Sequence, residues 1–232
     1  MADSEEVVSV GSGVTGKRHT LFVGDVHGCL SELQTLLAIC DFCPDRDALV
    51  LLGDLVGKGP ESEAVLSLAQ AMGAQAVLGN HDARMLAAPR GQCSPFRRGG
   101  HGSEEAHASA YEWLARRPHV LRFAELNVIA VHGALKPGRP LGAQRVHDAL
   151  YGRSLGSAEE AQIRTDVGAP PWASRWQGPE RVFFGHDARR GLQCWPFALG
   201  LDTGCVYGGW LSGVVAETGK LFTVKARTRY AH

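Results

Sequence analysis

Short apolar runs recur along the chain from His19 onward, and glycine and polar residues separate them. Runs of this length that are rich in β-branched and aromatic residues predict buried strands. The runs are residues 21–23, 48–52, 76–78, 128–131, 182–184, 197–201, 210–216 and 221–225. Residues 1–18 mix acidic residues, serine and glycine without periodicity, and we expect a mobile N-terminal tail there.

Helix-like spacing fills the gaps between the first three runs. Ser31 and Gln34 have the spacing of a capping box, and Pro60 is a favoured first residue of a helix. A third helical segment is expected from Ser103 to Arg117 because Pro118 ends its pattern. The alternation of strands and helices predicts an α/β protein with βαβ units and a parallel core.

Two segments, near 83–126 and 137–180, interrupt this alternation. The second is rich in glycine and proline and has weak periodicity. We expect both segments to form cap-like insertions at the rim of a site. Because a single α/β domain often exceeds 200 residues, residues 19–232 are expected to form one domain.

The charge balance of the 232 residues argues against a general nucleic-acid binder, since 24 Lys and Arg residues match 24 Asp and Glu residues. No apolar run reaches the length of a membrane span, and the acidic N-terminus has no secretory signal. We therefore expect a cytoplasmic protein that does not bind membranes. Its six cysteines are expected to be reduced.

A side chain able to bind a metal ion follows each of the first five apolar runs. These side chains are Asp25, His27, Asp54, Asn80, His132 and His186. The carboxyl ends of parallel strands share one edge of a sheet, where ligands bind. The sequence therefore predicts that these six residues converge in one crevice.

The residue types suggest how two cations could be shared. Asp25 and His27 are two positions apart, so in an extended segment they point the same way and can bind one cation. Asp54 can bridge that cation to a second one, whose site Asn80, His132 and His186 can complete. Oxygen and imidazole ligands without thiolates suit Mn, Fe, Zn or Co, and the sequence does not choose among these.

Two residues near these ligands are candidates for work on a phosphate. His81 follows Asn80 and is the candidate general acid. Lys58 can bring positive charge to a phosphate, and Asn80 is a second candidate for substrate binding. Arg175 and Arg189 are weaker candidates for a second phosphate. A lone Asp-x-His or buried histidine is more often structural, but five such groups in order outweigh that reading.

These motifs resemble those of the PPP phosphoesterase superfamily, which are GDxHG, GDxVxxG, GNH[ED], HxG and GH. The resemblance runs from about His19 to Ala216. It implies a calcineurin-like sandwich of two mixed β-sheets flanked by helices, with two metals at the sheet edge. It also implies that the six residues above are the metal ligands and that His81 is the acid.

Within the superfamily, the chain is most similar to the ApaH-like phosphatases, the symmetrical diadenosine tetraphosphatase type. Residues 201–209, Leu-Asp-Thr-Gly-Cys-Val-Tyr-Gly-Gly, are part of that similarity. The protein Ser/Thr phosphatases instead have Asp-Arg at the positions of Gly57 and Lys58, and Glu at that of Asp82. Their Asp orients the catalytic histidine, which Gly57 cannot do, and Asp82 is one possible substitute.

The resemblance implies a hydrolase of phosphoanhydrides, most of all dinucleoside polyphosphates such as diadenosine tetraphosphate, or capped RNA 5′ ends. A phosphoprotein phosphatase and a polyphosphatase are the alternatives, and Gly57 and Asp82 count against the former. A metal-binding scaffold without turnover is a third reading. Such a scaffold would lack a ligand or the acid, and the sequence lacks neither.

Overall fold

The computed structural model describes residues 8–11, 14–88, 104–156 and 163–232. Parts of the expected tail and of both insertions, in residues 1–7, 12–13, 89–103 and 157–162, lie outside the described residues. The strands are β1 (Val8–Val10), β2 (Thr20–Val23), β3 (Ala48–Leu51), β4 (Gln75–Ala76), β5 (Val120–Phe123), β6 (Val128–Val131), β7 (Ser154–Leu155), β8 (Ile163–Arg164), β9 (Arg181–Phe184), β10 (Gln193–Trp195), β11 (Ala198–Gly200), β12 (Trp210–Val215) and β13 (Leu221–Lys225). The α-helices are α1 (Leu30–Ile39), α2 (Ser62–Ala71), α3 (Asn80–Ala87), α4 (Glu104–Ala115) and α5 (Val146–Tyr151).

Most of the strands form two mixed sheets. The larger sheet has the order β1-β5-β6-β9-β11-β10 and the smaller one β13-β12-β2-β3-β4, while β7 and β8 pair separately. Strands β2, β3 and β4 are parallel, but β12 runs antiparallel to β2. The expected strands are found with ends that differ by at most two residues. The parallel core expected from spacing alone is thus only one part of two mixed sheets, as the resemblance implied.

Alternation along the strands places the core on both sides of each sheet. In β2, Leu21 and Val23 pack among the buried residues of α1 and α2. Phe22, between them, faces the larger sheet, where its ring meets the rings of Phe123 and Phe183 at centroid distances of 5.4 and 4.9 Å. Because successive side chains of a strand point to opposite faces, one strand contributes to both layers. The two sheets therefore share one continuous apolar interface.

Two helix starts differ from the sequence-based expectation. Helix α1 begins at Leu30 after Cys29, without a side-chain cap, so the expected capping box at Ser31 does not form. Helix α2 begins at Ser62, and Pro60 precedes it. The Ser62 hydroxyl accepts a hydrogen bond from the backbone N–H of Gly57 at 3.0 Å. This hydrogen bond ties the start of α2 to the loop that follows β3.

The N-terminal segment also differs from the expectation of a tail. Val8–Val10 form β1, which pairs in parallel with β5 along the edge of the larger sheet. The exposed edge of β5 offers unpaired backbone groups, and β1 satisfies them. In the described part of the first insertion, β5 joins the larger sheet and α4 packs on α2 and α3. These two elements belong to the body of the fold, while Arg84, in the same insertion, lines the pocket, and the cap stays a prediction.

No helix within the described ranges is long and apolar enough to span a membrane.

Candidate functional site

The six expected metal ligands come from both sheets. Strands β2, β3 and β4 of the smaller sheet lead to Asp25 and His27, to Asp54, and to Asn80, the first residue of α3. Strands β6 and β9 of the larger sheet lead directly to His132 and, after one glycine, to His186. All six residues are buried. The site therefore lies where the carboxyl ends of strands from both sheets meet.

Four residues of the site adopt left-handed backbone conformations. The φ angles are 47° at His27, 49° at Asp54, 50° at Lys58 and 68° at His186. Positive φ is uncommon for residues other than glycine, and such strained positions cluster at functional sites. Hydrogen bonds across the loops hold these conformations. For example, the His27 backbone N–H donates to the Asp54 carbonyl at 2.7 Å.

The Asp54 carboxylate lies between two groups of possible ligands. Its Oδ2 is 3.3 Å from Nε2 of His27, and its Oδ1 is 3.5 Å from Nε2 of His132. Asp54, His132 and His186 place ligand atoms within 4.8 Å of one another, and His27, Asp54 and His81 form a second such group. Asp54 belongs to both groups, which is the position expected for a bridging carboxylate.

Each of the three histidines expected as metal ligands has one ring nitrogen held by a backbone carbonyl. Nδ1 of His27 is 3.0 Å from the Val56 oxygen, and Nδ1 of His132 is 2.9 Å from the Leu52 oxygen. In His186 the nitrogen next to a carbonyl is instead Nε2, which is 3.3 Å from the Tyr151 oxygen. A nitrogen that donates to a carbonyl leaves the other nitrogen with its lone pair for a metal, as at known metal sites.

The free nitrogens point at one another. Nε2 of His132 is 3.1 Å from Oδ1 of Asn80 and 3.2 Å from Nδ1 of His186. Burial lowers the pKa of His132 to about 4 and that of His27 well below its usual value. Burial also lowers the pKa of His186. These imidazoles are therefore neutral at pH 7, the form that binds metals.

Buried carboxylates supply the negative charge of the site. Burial and the nearby charges of Asp202 and Asp54 raise the pKa of Asp25 well above its usual value. Burial also raises the pKa of Asp54 to about 7. Oδ1 of Asp25 accepts a hydrogen bond from the backbone N–H of His186 at 3.0 Å. Because such a cluster of buried carboxylates is unfavourable alone, the donor set fits divalent cations.

His81 lies at the start of α3 and belongs to the group formed with His27 and Asp54. Its backbone N–H donates to Oδ1 of Asp54 at 2.8 Å, and its ring packs edge-on against His27 with centroids 4.9 Å apart. Burial, followed by the charges of Lys58 and Arg84, lowers the pKa of His81 to about 4. A side chain at Gly57 would begin 3.4 Å from Nδ1 of His81, so the missing Asp leaves this nitrogen without that partner.

Asp82 does not orient His81, contrary to the suggestion from the sequence. Its Oδ1 accepts hydrogen bonds from the backbone N–H groups of Leu55 at 3.0 Å and Val56 at 3.2 Å. Its Oδ2 accepts from the N–H of Gly79 at 2.9 Å. Neighbouring residues of a helix do not face each other, which is why Asp82 points away from the imidazole. It ties α3 to the loop that follows Asp54.

The site opens into a pocket of about 660 Å³. Lys58 lies inside it, with Nζ 3.2 Å from Nε2 of His27 and 5.1 Å from the ring centre of Tyr207. Of the two weaker arginine candidates, Arg189 lines the pocket, and Arg175 is not among its lining residues. Five further residues line the pocket, and the sequence pattern predicted no site role for them: Arg84, Arg153, Asp202, Tyr207 and His232.

The signals for these missed residues differ. Asp202 and Tyr207 belong to the noted motif at residues 201–209, so a strand end followed by glycine could have pointed to Asp202. Arg153 follows no strand end in the pattern. Its guanidinium reaches the site because Nη2 donates to the carbonyl oxygen of His186 at 3.2 Å and Nη1 donates to that of Thr165 at 2.9 Å.

Comparison with known proteins identifies similar sequences. The family described as calcineurin-like phosphoesterase matches residues 18–195. A symmetrical bis(5′-nucleosyl)-tetraphosphatase of Edwardsiella ictaluri is 30% identical over 92% of this chain and 98% of its own length. A protein of the same name from Shewanella oneidensis is 38% identical over 67% of this chain and 58% of its own length.

Solved structures show the same architecture. The crystal structure of a candidate diadenosine tetraphosphatase superposes with a TM-score of 0.84 and 38% identity, covering 95% of this chain and 98% of the other. A Saccharomyces cerevisiae protein serine/threonine phosphatase superposes with a TM-score of 0.64 at 14% identity, covering 96% of this chain and 84% of the other. At that identity the second likeness concerns the fold alone.

Proposed function

Because the chain belongs to the calcineurin-like phosphoesterase family, we propose that it is a two-metal hydrolase that cleaves phosphoanhydride bonds in dinucleoside polyphosphates. The observation that carries the proposal is the position of Asp54. Its two carboxylate oxygens face different histidines, one from each sheet, at 3.3 and 3.5 Å. A single carboxylate shared in this way suits a pair of cations.

The proposed ligands divide into two sets that share Asp54. Asp25 and His27 would hold one cation, and Asn80, His132 and His186 the other. When bound, two divalent cations polarise phosphoryl oxygens and lower the pKa of water toward neutrality. Mn, Fe, Zn and Co all suit this set of oxygen and imidazole ligands. The orientation of the three imidazoles by backbone carbonyls supports this assignment.

The remaining polar residues would bind and protonate the substrate. Lys58 and Arg153 place positive charge on opposite sides of the ligand set, near His27 and His186, and Asn80 can also contact the phosphate. His81 would give a proton to the leaving oxygen. A bound phosphate would favour this role, because nearby negative charge raises the pKa of an imidazole.

The shape and charge of the pocket support a nucleotide polyphosphate. Its volume of about 660 Å³ is within the range of pockets that hold whole small molecules. Several of its cationic side chains lie outside the ligand set, where they can neutralise the additional phosphates of a chain. Relatives that share 30–38% identity carry the name symmetrical bis(5′-nucleosyl)-tetraphosphatase. We therefore propose diadenosine tetraphosphate as the substrate and a capped RNA 5′ end as a related one.

The cysteines agree with the expected cytoplasmic location. The cysteines within the described residues are all free thiols, namely Cys29, Cys40, Cys43, Cys194 and Cys205. Reduced thiols are typical of the cytosol, where disulfides are rare. We keep the cytoplasm as the proposed compartment.

The test is a substrate screen with purified protein. Diadenosine tetraphosphate, capped RNA, inorganic polyphosphate and a phosphopeptide are compared with Mn, Co, Zn and Mg, before and after chelation. We expect the highest kcat/KM on a nucleotide polyphosphate, two nucleoside diphosphates as products, and no turnover after chelation. A preference for the phosphopeptide would overturn the substrate proposal.

The bridging role of Asp54 has its own test. Asp54→Asn keeps the size of the side chain but removes a ligand charge that both cations share. We expect the bound metal, measured by elemental analysis, to fall for both sites and turnover to be lost. Two bound metals together with a near wild-type rate would show that Asp54 does not bridge.

A further inference from the structure

Arg84 lies one helical turn after His81 on α3. Residues three apart in a helix lie on the same face, and both side chains line the same pocket. Arg84 is exposed, and no carboxylate among the described residues forms an ion pair with it. Within the described part of the chain, no ion pair therefore explains the position of its positive charge at the mouth of the site.

Two other cationic residues of the pocket, Lys58 and Arg153, are held by contacts away from His81. Lys58 contacts His27 near the centre of the site. Arg153 is held by the carbonyl groups of His186 and Thr165, on the side of the larger sheet. Arg84 instead lies on the side of His81, because both residues are on α3 and line the pocket. The pocket thus has a separate positive group on the side of the proposed acid.

The side of the acid is the side from which the leaving group departs. Hydrolysis of a phosphoanhydride adds the oxygen of water to one phosphorus, and the bridging oxygen leaves with the other phosphate. That bridging oxygen takes its proton from His81, and the proton lost by water balances the reaction. A leaving group of this kind therefore carries a phosphate past His81 toward Arg84, whereas an aryl leaving group carries none.

We propose that Arg84 forms a binding subsite for the phosphate of the leaving nucleotide. The proposal rests on the proposed function, because it takes His81 as the acid. A guanidinium pairs two oxygens of a phosphate at once, and an exposed side chain can follow the substrate without breaking another contact. The subsite makes the enzyme prefer substrates whose leaving group is itself a phosphate over simple phosphate monoesters.

Two variants and one control test the subsite. Arg84→Gln removes the charge, and Arg84→Lys retains the charge without the planar guanidinium. Arg116→Gln, the control, removes an exposed charge directly after α4 that contacts Glu112 at 3.4 Å. For Arg84→Gln we expect kcat/KM on diadenosine tetraphosphate to fall by about 10- to 100-fold, the effect of losing a charged hydrogen bond. Hydrolysis of p-nitrophenyl phosphate should change by less than about twofold, and Arg84→Lys should recover part of the loss.

A second measurement separates this proposal from the proposed function. Inhibition of p-nitrophenyl phosphate hydrolysis by ADP and by inorganic phosphate needs no turnover of a dinucleotide. In Arg84→Gln, inhibition by ADP should weaken by about 10-fold or more, while inhibition by inorganic phosphate should stay as in Arg116→Gln. Equal losses for both inhibitors, or an unchanged effect of ADP, would overturn the subsite even if the dinucleotide proves to be the substrate.

Discussion

At the scale of single residues, the hydrogen bonding of the ring separates His81 from the other imidazoles of the site. His27, His132 and His186 each have one ring nitrogen held by a backbone carbonyl. For His81, the hydrogen bond found within the described residues is made by its backbone N–H, to Asp54. Its ring nitrogens thus stay available for a proton that moves to the substrate.

We expect His81→Asn to lower kcat for diadenosine tetraphosphate by about 10²–10⁴, the usual range for loss of a general acid. The loss should be smaller for p-nitrophenyl phosphate, since a good leaving group needs little protonation. Stopped assays on both substrates, with metal content measured in parallel, check this result. Equal losses on both substrates would indicate that His81 only supports the structure.

At the scale of elements, Asp82 joins α3 to the loop after β3. The carboxylate accepts three backbone hydrogen bonds, from Leu55, Val56 and Gly79. It therefore holds the start of α3, with Asn80 and His81, against the loop that carries Asp54. The role of this residue is to position two elements.

For Asp82→Asn we expect a loss of about 1–3 kcal/mol in the free energy of unfolding, because an amide NH₂ group cannot accept from these buried donors. Denaturant unfolding of the metal-free protein measures this loss. Metal affinity should fall as well, since the loop and helix both carry ligands. Asp45→Asn, in the loop before β3, is the control, and a stability loss of the same size there would contradict the assignment.

A second contact between elements predicts a pH dependence. Arg18, before β2, donates to both carboxylate oxygens of Asp47, before β3, at 2.9 Å. Burial raises the pKa of Asp47, but the hydrogen bonds from Arg18 and from the backbone N–H of Cys43 outweigh this effect, so the pKa is lowered overall. A lowered carboxyl pKa stabilises the fold above the unfolded-state pKa of about 3.9 and loses that effect as pH falls through the folded-state pKa.

The expected result is that wild-type protein loses stability below about pH 4 more steeply than Asp47→Asn does. Urea unfolding at several pH values between about 2.5 and 6 gives both curves. At pH 6 the variant should be less stable, because the N–H of Cys43 and the Arg18 guanidinium lose an ionised partner. Parallel curves over the whole range would show that Asp47 does not contribute to the acid dependence.

Elements were easier to infer from the sequence than the contacts between them. All six proposed ligands could be picked out from the sequence, because each is a polar residue close after an apolar run and next to or near a glycine. The pocket position of Arg153 could not be read in this way, since it depends on a contact with His186 that lies 33 residues away. Strand β1 was missed because Val8–Val10 gain their partners from β5, more than a hundred residues later.

At the scale of the whole molecule, the proposed metal centre joins the two sheets. Asp25 and Asp54 follow strands of the smaller sheet, and His132 and His186 follow strands of the larger one. The apolar interface between the sheets, with Phe22 at its centre, sets the distance between these ligands. Packing and metal binding are therefore expected to depend on each other.

Phe22→Ala should cost about 3–5 kcal/mol in the free energy of unfolding, the range for truncating a buried phenylalanine. It should also weaken metal binding, because the sheets lose a contact that fixes their spacing. Calorimetric metal titration and denaturant unfolding measure the two effects. Phe197→Ala is the control, since Phe197 is 37% exposed. Equal metal affinity in both variants would show that the packing of Phe22 does not affect metal binding.

Four residues of the site have a left-handed backbone that lowers the stability of the fold: His27, Asp54, Lys58 and His186. Each such conformation costs about 1–3 kcal/mol outside glycine, and glycine relieves much of this cost. A laboratory selection for heat resistance alone would therefore enrich glycine or asparagine at these positions. The resulting proteins would unfold at higher temperature and would have lost activity. The positions of the stabilising substitutions would therefore mark the active site without an activity assay.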